Sequence, residues 1–197
     1  MTSELIKAYC DAITPPPMLG VDEWSNEYRH VMVSARPGKY RTSVTPYVVE
    51  PMRRLGSGDK CRWVFLMWPS QSGKSEICNN WIGYTAHYDP VPIIMMQPTV
   101  NAAKRYSKMR IDKMVQDTPV LHSLFGGKKS RDGTNTWDQK AFPGGFLLMV
   151  GSNAAADLAS TPAGRGVVDE SDRCSEDAGG EGDAVGLLIA RLTTYGK

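Results

Sequence analysis

Trp68-Pro69-Ser70-Gln71-Ser72-Gly73-Lys74-Ser75 is the stretch whose reading decides the fold. Its last three residues end the pattern Gly-x-x-x-x-Gly-Lys-Ser/Thr. Before it runs Trp63-Val64-Phe65-Leu66-Met67-Trp68, the profile of a strand buried on both faces, so a strand is expected over residues 62–68. After it, Ser75 to Tyr84 reads as a helix. A Gly-Lys-Ser tripeptide alone says little, whereas one set between a strand and a helix has a chemistry. Converging backbone N–H groups and the positive end of a helix dipole suit a triphosphate. Ser70, Gln71, Ser72 and Gly73 line that loop, Lys74 is placed to reach the β- and γ-phosphates of ATP, and the Ser75 hydroxyl to ligate Mg2+. Trp68 stands where the pattern has its first glycine, so the loop must open with a different backbone turn.

Working downstream, Val91 to Met96 is a second buried strand closed by Gln97-Pro98, and Thr99 is a good N-cap for a helix reaching Val115. Thr136-Trp137 and Phe146 to Val150 read as short strands around Pro143-Gly144-Gly145, and Gly166-Val167-Val168 leads into Asp169-Glu170. This order predicts an α/β fold of the P-loop NTPase type, with a mainly parallel central sheet flanked by helices. Upstream, residues 1–40 read as an irregular arm. Thr14-Pro15-Pro16-Pro17 is extended, Arg36-Pro37-Gly38 is a turn, and a short helix fits within Val21 to Val33. Pro46 suits the first turn of a helix ending at Gly56, inside a domain spanning residues 41–197.

A phosphate loop of this kind needs a carboxylate at the end of a neighbouring strand. Asp169 fits the metal, and Glu170 fits activation of an attacking water, which favours hydrolysis over transfer to a second substrate. The other acids of the segment read as a solvated loop around Gly179-Gly180-Glu181-Gly182. Tyr47 suits either an adenine-stacking contact or a packed core position. Lys104, Arg105, Lys108, Arg110 and Lys113, the turn Lys128-Lys129-x-Arg131 and the pair Arg53-Arg54 offer contacts to DNA phosphates or plain solvated faces. Arg165 is a candidate source of positive charge for a nucleotide, in its own subunit or across a boundary.

The whole chain has 197 residues with 23 Lys+Arg against 21 Asp+Glu, 41% of residues hydrophobic and 22% charged. That suits one domain with a real core and excludes wholesale disorder. Charge is uneven. Residues 1–165 hold 20 Lys+Arg against 14 Asp+Glu, and residues 166–197 hold 3 against 7, so a mildly basic body meets an acidic C-terminal segment. The longest apolar run has six residues, far short of a membrane span. The N-terminus lacks a secretory pattern, and the scattered Cys10, Cys61, Cys78 and Cys174 fit neither a zinc site nor a disulfide framework. A soluble protein in a reducing compartment is the expectation.

With these residues in hand, the sequence resembles the ATPase part of the lambda-type (gpA-like) large terminase subunit of tailed bacteriophages, from about Tyr40 onward. The resemblance rests on Thr45-Pro46-Tyr47 with Glu50-Pro51-Met52, Gln71 to Glu76, Asn79 to Tyr84, and Gln97-Pro98-Thr99 with Ala102-Ala103 and Tyr106-Ser107-Lys108. Phe142 to Gly145, Asp169-Glu170-x-Asp172-Arg173, Glu181-Gly182-Asp183 and Arg191 extend it. It implies an ATP-driven motor that packages double-stranded viral DNA, working as a homo-oligomeric ring on the portal protein with a small terminase subunit, in the host cytoplasm and without a membrane. By the same resemblance Lys74 and Ser75 bind ATP and Mg2+, Asp169 holds the metal and Glu170 is catalytic. In that family a coupling motif and an endonuclease domain follow this point; neither lies within these residues, which read as a fragment or as the product of a truncated or split gene, so DNA cutting is not expected from them. Two other readings stay open: another DNA-dependent P-loop ATPase, or a non-hydrolysing ATP-binding interaction fragment.

Overall fold

A computed structural model describes residues 5–6, 9–10, 19–126, 135–154 and 161–195. Its centre is β3, Ile93–Gln97, an unbroken run of buried residues. Such a run needs cover on both faces, and it has it. Ile93 and Met95 enter the larger core with Trp24, Met52, Ile77, Ile82, Met114 and Leu121, while Ile94 and Met96 enter a smaller one with Val150, Ala184 and Leu188.

The helices of the larger face are α1 (Val21–Tyr28), α2 (Val49–Arg54), α3 (Lys74–His87), α4 (Val100–Tyr106), α5 (Asp112–Asp117) and α6 (Pro119–Leu124). On the smaller face lies α7 (Ala184–Leu192). A two-stranded ribbon pairs β1 (His30–Val31) with β2 (Gly38–Lys39). The main sheet has the order β4-β5-β3-β6, where β4 is Gln139–Phe142, β5 is Gly145–Gly151 and β6 is Arg165–Val168. The strands β5, β3 and β6 are parallel and β4 is antiparallel to β5. The mixed α/β class with a mostly parallel sheet is therefore as expected. Helix α1 lies within the segment read as an arm, and its Val21 and Trp24 are fully buried in the larger core.

Two strand expectations need correction. Residues 62–68 form no strand. The segment is extended in pattern, with Leu66 and Trp68 packed on the larger core, but Trp63, Phe65 and Met67 are 51%, 80% and 94% exposed. Apolar composition identifies a strand only where a neighbouring strand takes up its N–H and C=O groups. Among the described residues the sheet ends at β6, and none pairs with this segment. The second correction moves the strand read at Thr136-Trp137 to Gln139–Phe142, where Phe142 pairs with Gly145 across the turn Pro143-Gly144. Gly144 adopts φ +85°, a conformation that glycine takes without strain. The long helix expected from Thr99 to Val115 is present but carries a π-helical segment, Ser107–Ile111, between α4 and α5.

Gly83 is where α3 and α1 touch. A Cβ there would lie 2.6 Å from Cη2 of Trp24 and 3.2 Å from Cδ1 of Leu121, and neither residue has space to retreat. Replacing a helical glycine by alanine gains about 1 kcal/mol of propensity, while overpacking a filled core costs about 1–3 kcal/mol. At 2.6 Å the clash dominates. Gly83→Ala is expected to lower the unfolding free energy, read from the midpoint of urea denaturation; an unchanged or raised midpoint would contradict the packing described.

Candidate functional site

The ends of three parallel strands gather the site. Register pairs Met96 with Val168 and Gln97 with Gly151, so Asp169, one residue beyond β6, emerges beside Gln97. The carboxyl ends of parallel strands are where open α/β sheets hold ligands. The Asp169 N–H donates to the Met96 carbonyl at 3.1 Å, and the Gln97 amide Nε2 donates to Asp169 Oδ2 at 3.1 Å. Glu170 follows with φ +52° and ψ +52°. Its carboxylate is exposed and pairs with Arg173 at 3.1 Å.

The 68–75 loop turns at Ser70-Gln71 and delivers Gly73, at φ +90°, as the N-cap of the 14-residue α3. The first backbone bonds of this helix run from the N–H groups of Glu76 and Ile77 to the Gly73 carbonyl, so the helix supplies no acceptor for those of Lys74 and Ser75. Gln71 takes φ +63°, so the left-handed positions of the loop are Gln71 and Gly73, not Trp68. That answers how the loop opens without its first glycine: the Trp68 ring packs against Tyr47, centroids 5.4 Å apart, and the reversal comes three residues later. Ser72 Oγ donates to the Pro69 carbonyl at 2.6 Å, and Lys74 Nζ to the Trp68 carbonyl at 2.5 Å. Among the described residues, Gln71 and Glu170 are the two non-glycine residues with positive φ. Such strain costs about 1–3 kcal/mol and clusters at functional sites; here it falls on both acidic and phosphate-type segments.

Electrostatics ties the two halves together. Burial pushes the Cys78 thiol, one turn along α3 from Lys74, up to about 12, and the negative charges of Asp169 and Glu76 add to the rise. Tyr106 is likewise raised, first by burial and then by Cys78, Asp169 and Glu76, so its hydroxyl keeps its proton. That hydroxyl donates to Asn79 Oδ1 at 2.9 Å and approaches the Ser75 carbonyl at 3.4 Å. Glu76, in the first turn of α3, pairs with the buried Arg29 at 3.2 Å and reaches Arg110 at 3.9 Å.

Tyr47 is about half exposed at the rim of the loop, rather than a core residue; its neighbour Val48 lies 4.0 Å from where a Cβ of Gly73 would stand. Arg165 is not brought to the site of its own subunit, which corrects its candidacy there. It starts β6, at the opposite end from Asp169, where its guanidinium bonds Thr85 Oγ1 and Asp89 Oδ2 and lies over the Trp81 and Tyr84 rings at 5.5 and 5.8 Å. Burial lowers its pKa and Asp89 opposes the fall. Arg53 and Arg54 are engaged with Asp22, Glu50 and Asp59. Lys104, Arg105, Lys108, Arg110 and Lys113 are exposed, and the turn Lys128 to Arg131 lies outside the described residues. The residues that sequence reasoning did not assign to the site are Gln97 and Tyr106. The signal for Gln97 was available: a lone amide closing a four-residue apolar strand has to find a partner.

Residues 34–197 match the family described as phage terminase large subunit gpA, ATPase domain. The terminase large subunit of Enterobacteria phage P21 is 27% identical over 146 residues, which cover 72% of this chain and 22% of that protein. The chain thus spans about a fifth of the length of that relative. No solved structure matches it. Among the described residues, no helix is long and apolar enough to cross a membrane.

Proposed function

The chain belongs to the gpA ATPase-domain family of phage terminase large subunits, and from that premise we propose that it is a P-loop ATPase that hydrolyses ATP with Mg2+ to drive packaging of double-stranded viral DNA. The observation that carries the reading is geometric: a left-handed Gly73 opens the 14-residue α3, and Asp169 stands one residue beyond the parallel strand β6, bonded to Met96 and Gln97 of β3.

The donor set suits a magnesium triphosphate. A left-handed Gly73, the N–H groups of Lys74 and Ser75 and a 14-residue helix form an anion site, and the Asp169 carboxylate accepts only the neutral Gln97 amide among the described residues. Ser75 and Asp169 would hold the metal, which when bound spreads the charge building on the phosphate oxygens. Ser70, Gln71, Ser72 and Gly73 wrap the phosphates. The Lys74 ammonium leaves the Trp68 carbonyl for the phosphates, exchanging a neutral acceptor for charged ones. Glu170 would take a proton from the water whose oxygen bonds the γ-phosphorus as the bond to the β–γ bridging oxygen breaks, Tyr47 would stack on the base, and ADP and phosphate would leave with the proton passing from Glu170 to solvent. Double-stranded DNA, a small terminase subunit, the portal protein and further copies in a ring are the proposed partners, at the procapsid in the host cytoplasm.

Phosphate release from MgATP, measured with and without double-stranded DNA, tests this. Turnover that rises with DNA supports it. Nucleotide binding with no release under either condition would replace it by a non-hydrolysing binding module.

A further inference from the structure

Among the described residues no ion pair joins the phosphate-type helix to the acidic strand end, and neutral side chains lead from one to the other. Gln97, 5% exposed at the end of β3, donates to Asp169 Oδ2. Two residues on, Thr99 caps α4, its Oγ1 accepting from the Ala102 N–H at 3.1 Å. At the far end of α4, Tyr106 donates to Asn79 and approaches the Ser75 carbonyl. Asn79 is itself buried and donates to Glu76 Oε1 at 3.1 Å, so its amide orientation is fixed. Seven helical residues span about 10 Å and do not stretch.

We propose that α4 is a spacer that sets the separation of Ser75 from Asp169, with Gln97 and Tyr106 as positioning residues for the metal of the proposed nucleotide site. The inference rests on that site. The residue types fit the task. A lysine or arginine bonded to Asp169 would cancel the charge a cation needs, whereas the Gln97 amide fixes one oxygen of the carboxylate and leaves its charge intact. The Tyr106 hydroxyl donates to Asn79 beside Ser75, and it sits where the helix passes into the π-helical segment that carries Arg110 toward Glu76. Outer partners of this kind orient the groups that meet a metal, and their loss typically costs about 10–100-fold in metal affinity.

The test uses Gln97→Met and Tyr106→Phe, which keep size and remove only the polar atoms. Binding of a fluorescent ADP analogue is titrated in EDTA and in rising MgCl2, with thermal melting as a control. Each variant is expected to bind the analogue in EDTA within about twofold of the parent and to need about tenfold more magnesium for half of the enhancement. An unchanged magnesium requirement in both variants overturns the spacer role. Equal weakening in EDTA and in magnesium, with a lowered melting point, also overturns it, since that is loosening of the fold alone. A parent chain that does not bind the analogue overturns the nucleotide site itself, one whose binding ignores magnesium overturns its metal, and in either case this inference falls with it.

Discussion

Lys74→Ala is expected to lower DNA-stimulated phosphate release by at least about 100-fold, the range seen when one preorganised charge donor is removed from a reacting centre. The reason lies in what the ammonium does with and without phosphate. In the structure Lys74 Nζ sits on the Trp68 carbonyl at 2.5 Å, inside its own loop. That contact is replaceable: it is only partly buried, so water can reach the carbonyl when the lysine is gone. Alanine at the first position of α3 costs nothing in helix propensity, so stability should shift by no more than about 0.5 kcal/mol. A large loss of turnover with an unmoved melting point separates chemistry from folding. Turnover within about threefold of the parent would mean that the loop does not serve as the phosphate site.

Why some elements were legible and others not follows from what each residue pattern encodes. Ile93 to Met96 is apolar without interruption, and the sheet buries it on both faces, so the reading held. The same signature over Trp63 to Trp68 misled, because an apolar run specifies a preference for burial and says nothing about a partner strand; here alternate side chains stay exposed. Thr136-Trp137 looked like a strand by β propensity, yet the register is set by the Pro143-Gly144 turn, which places the pairing at Gln139–Phe142. The candidacy of Lys74, Ser75 and Asp169 was open to a sequence reading since the proposed chemistry needs those residue types at fixed places along the chain. That of Tyr106 was not, and for Gln97 the strand-closing amide announced that a partner was needed without naming it. Their proposed roles depend on a contact between residues 72 positions apart and on a helix of a particular length, neither of which has a local pattern. Arg165 shows the converse: proximity in sequence to Asp169 suggested the site, while the strand between them carries its side chain to the other end of the sheet, onto Trp81, Tyr84 and Asp89.

Glu170→Gln should reduce turnover by about 100- to 10,000-fold, the span of general base catalysis, while binding of MgATP stays near that of the parent. Glutamine keeps the size of the side chain and loses the ability to accept a proton, and no proposed ligand of the phosphates or metal is touched. The present partner of Glu170 is weak, because an exposed pair with Arg173 contributes about 0–1 kcal/mol, so the carboxylate is not held away from a water. The backbone argues in the same direction. At φ +52° a glutamate is strained where glycine would be relaxed, and glycine at such a site typically stabilises rather than costs, up to about 1 kcal/mol. A residue kept for the turn alone would have no need of its carboxylate. Glu170→Gly therefore gives the sharper outcome: a melting point equal to or above that of the parent, with phosphate release as low as in the glutamine variant. Single-turnover phosphate release, nucleotide affinity and thermal melting on the same preparations read all three quantities. Release preserved in either variant would remove Glu170 from the chemistry and leave its strained backbone without a functional reason.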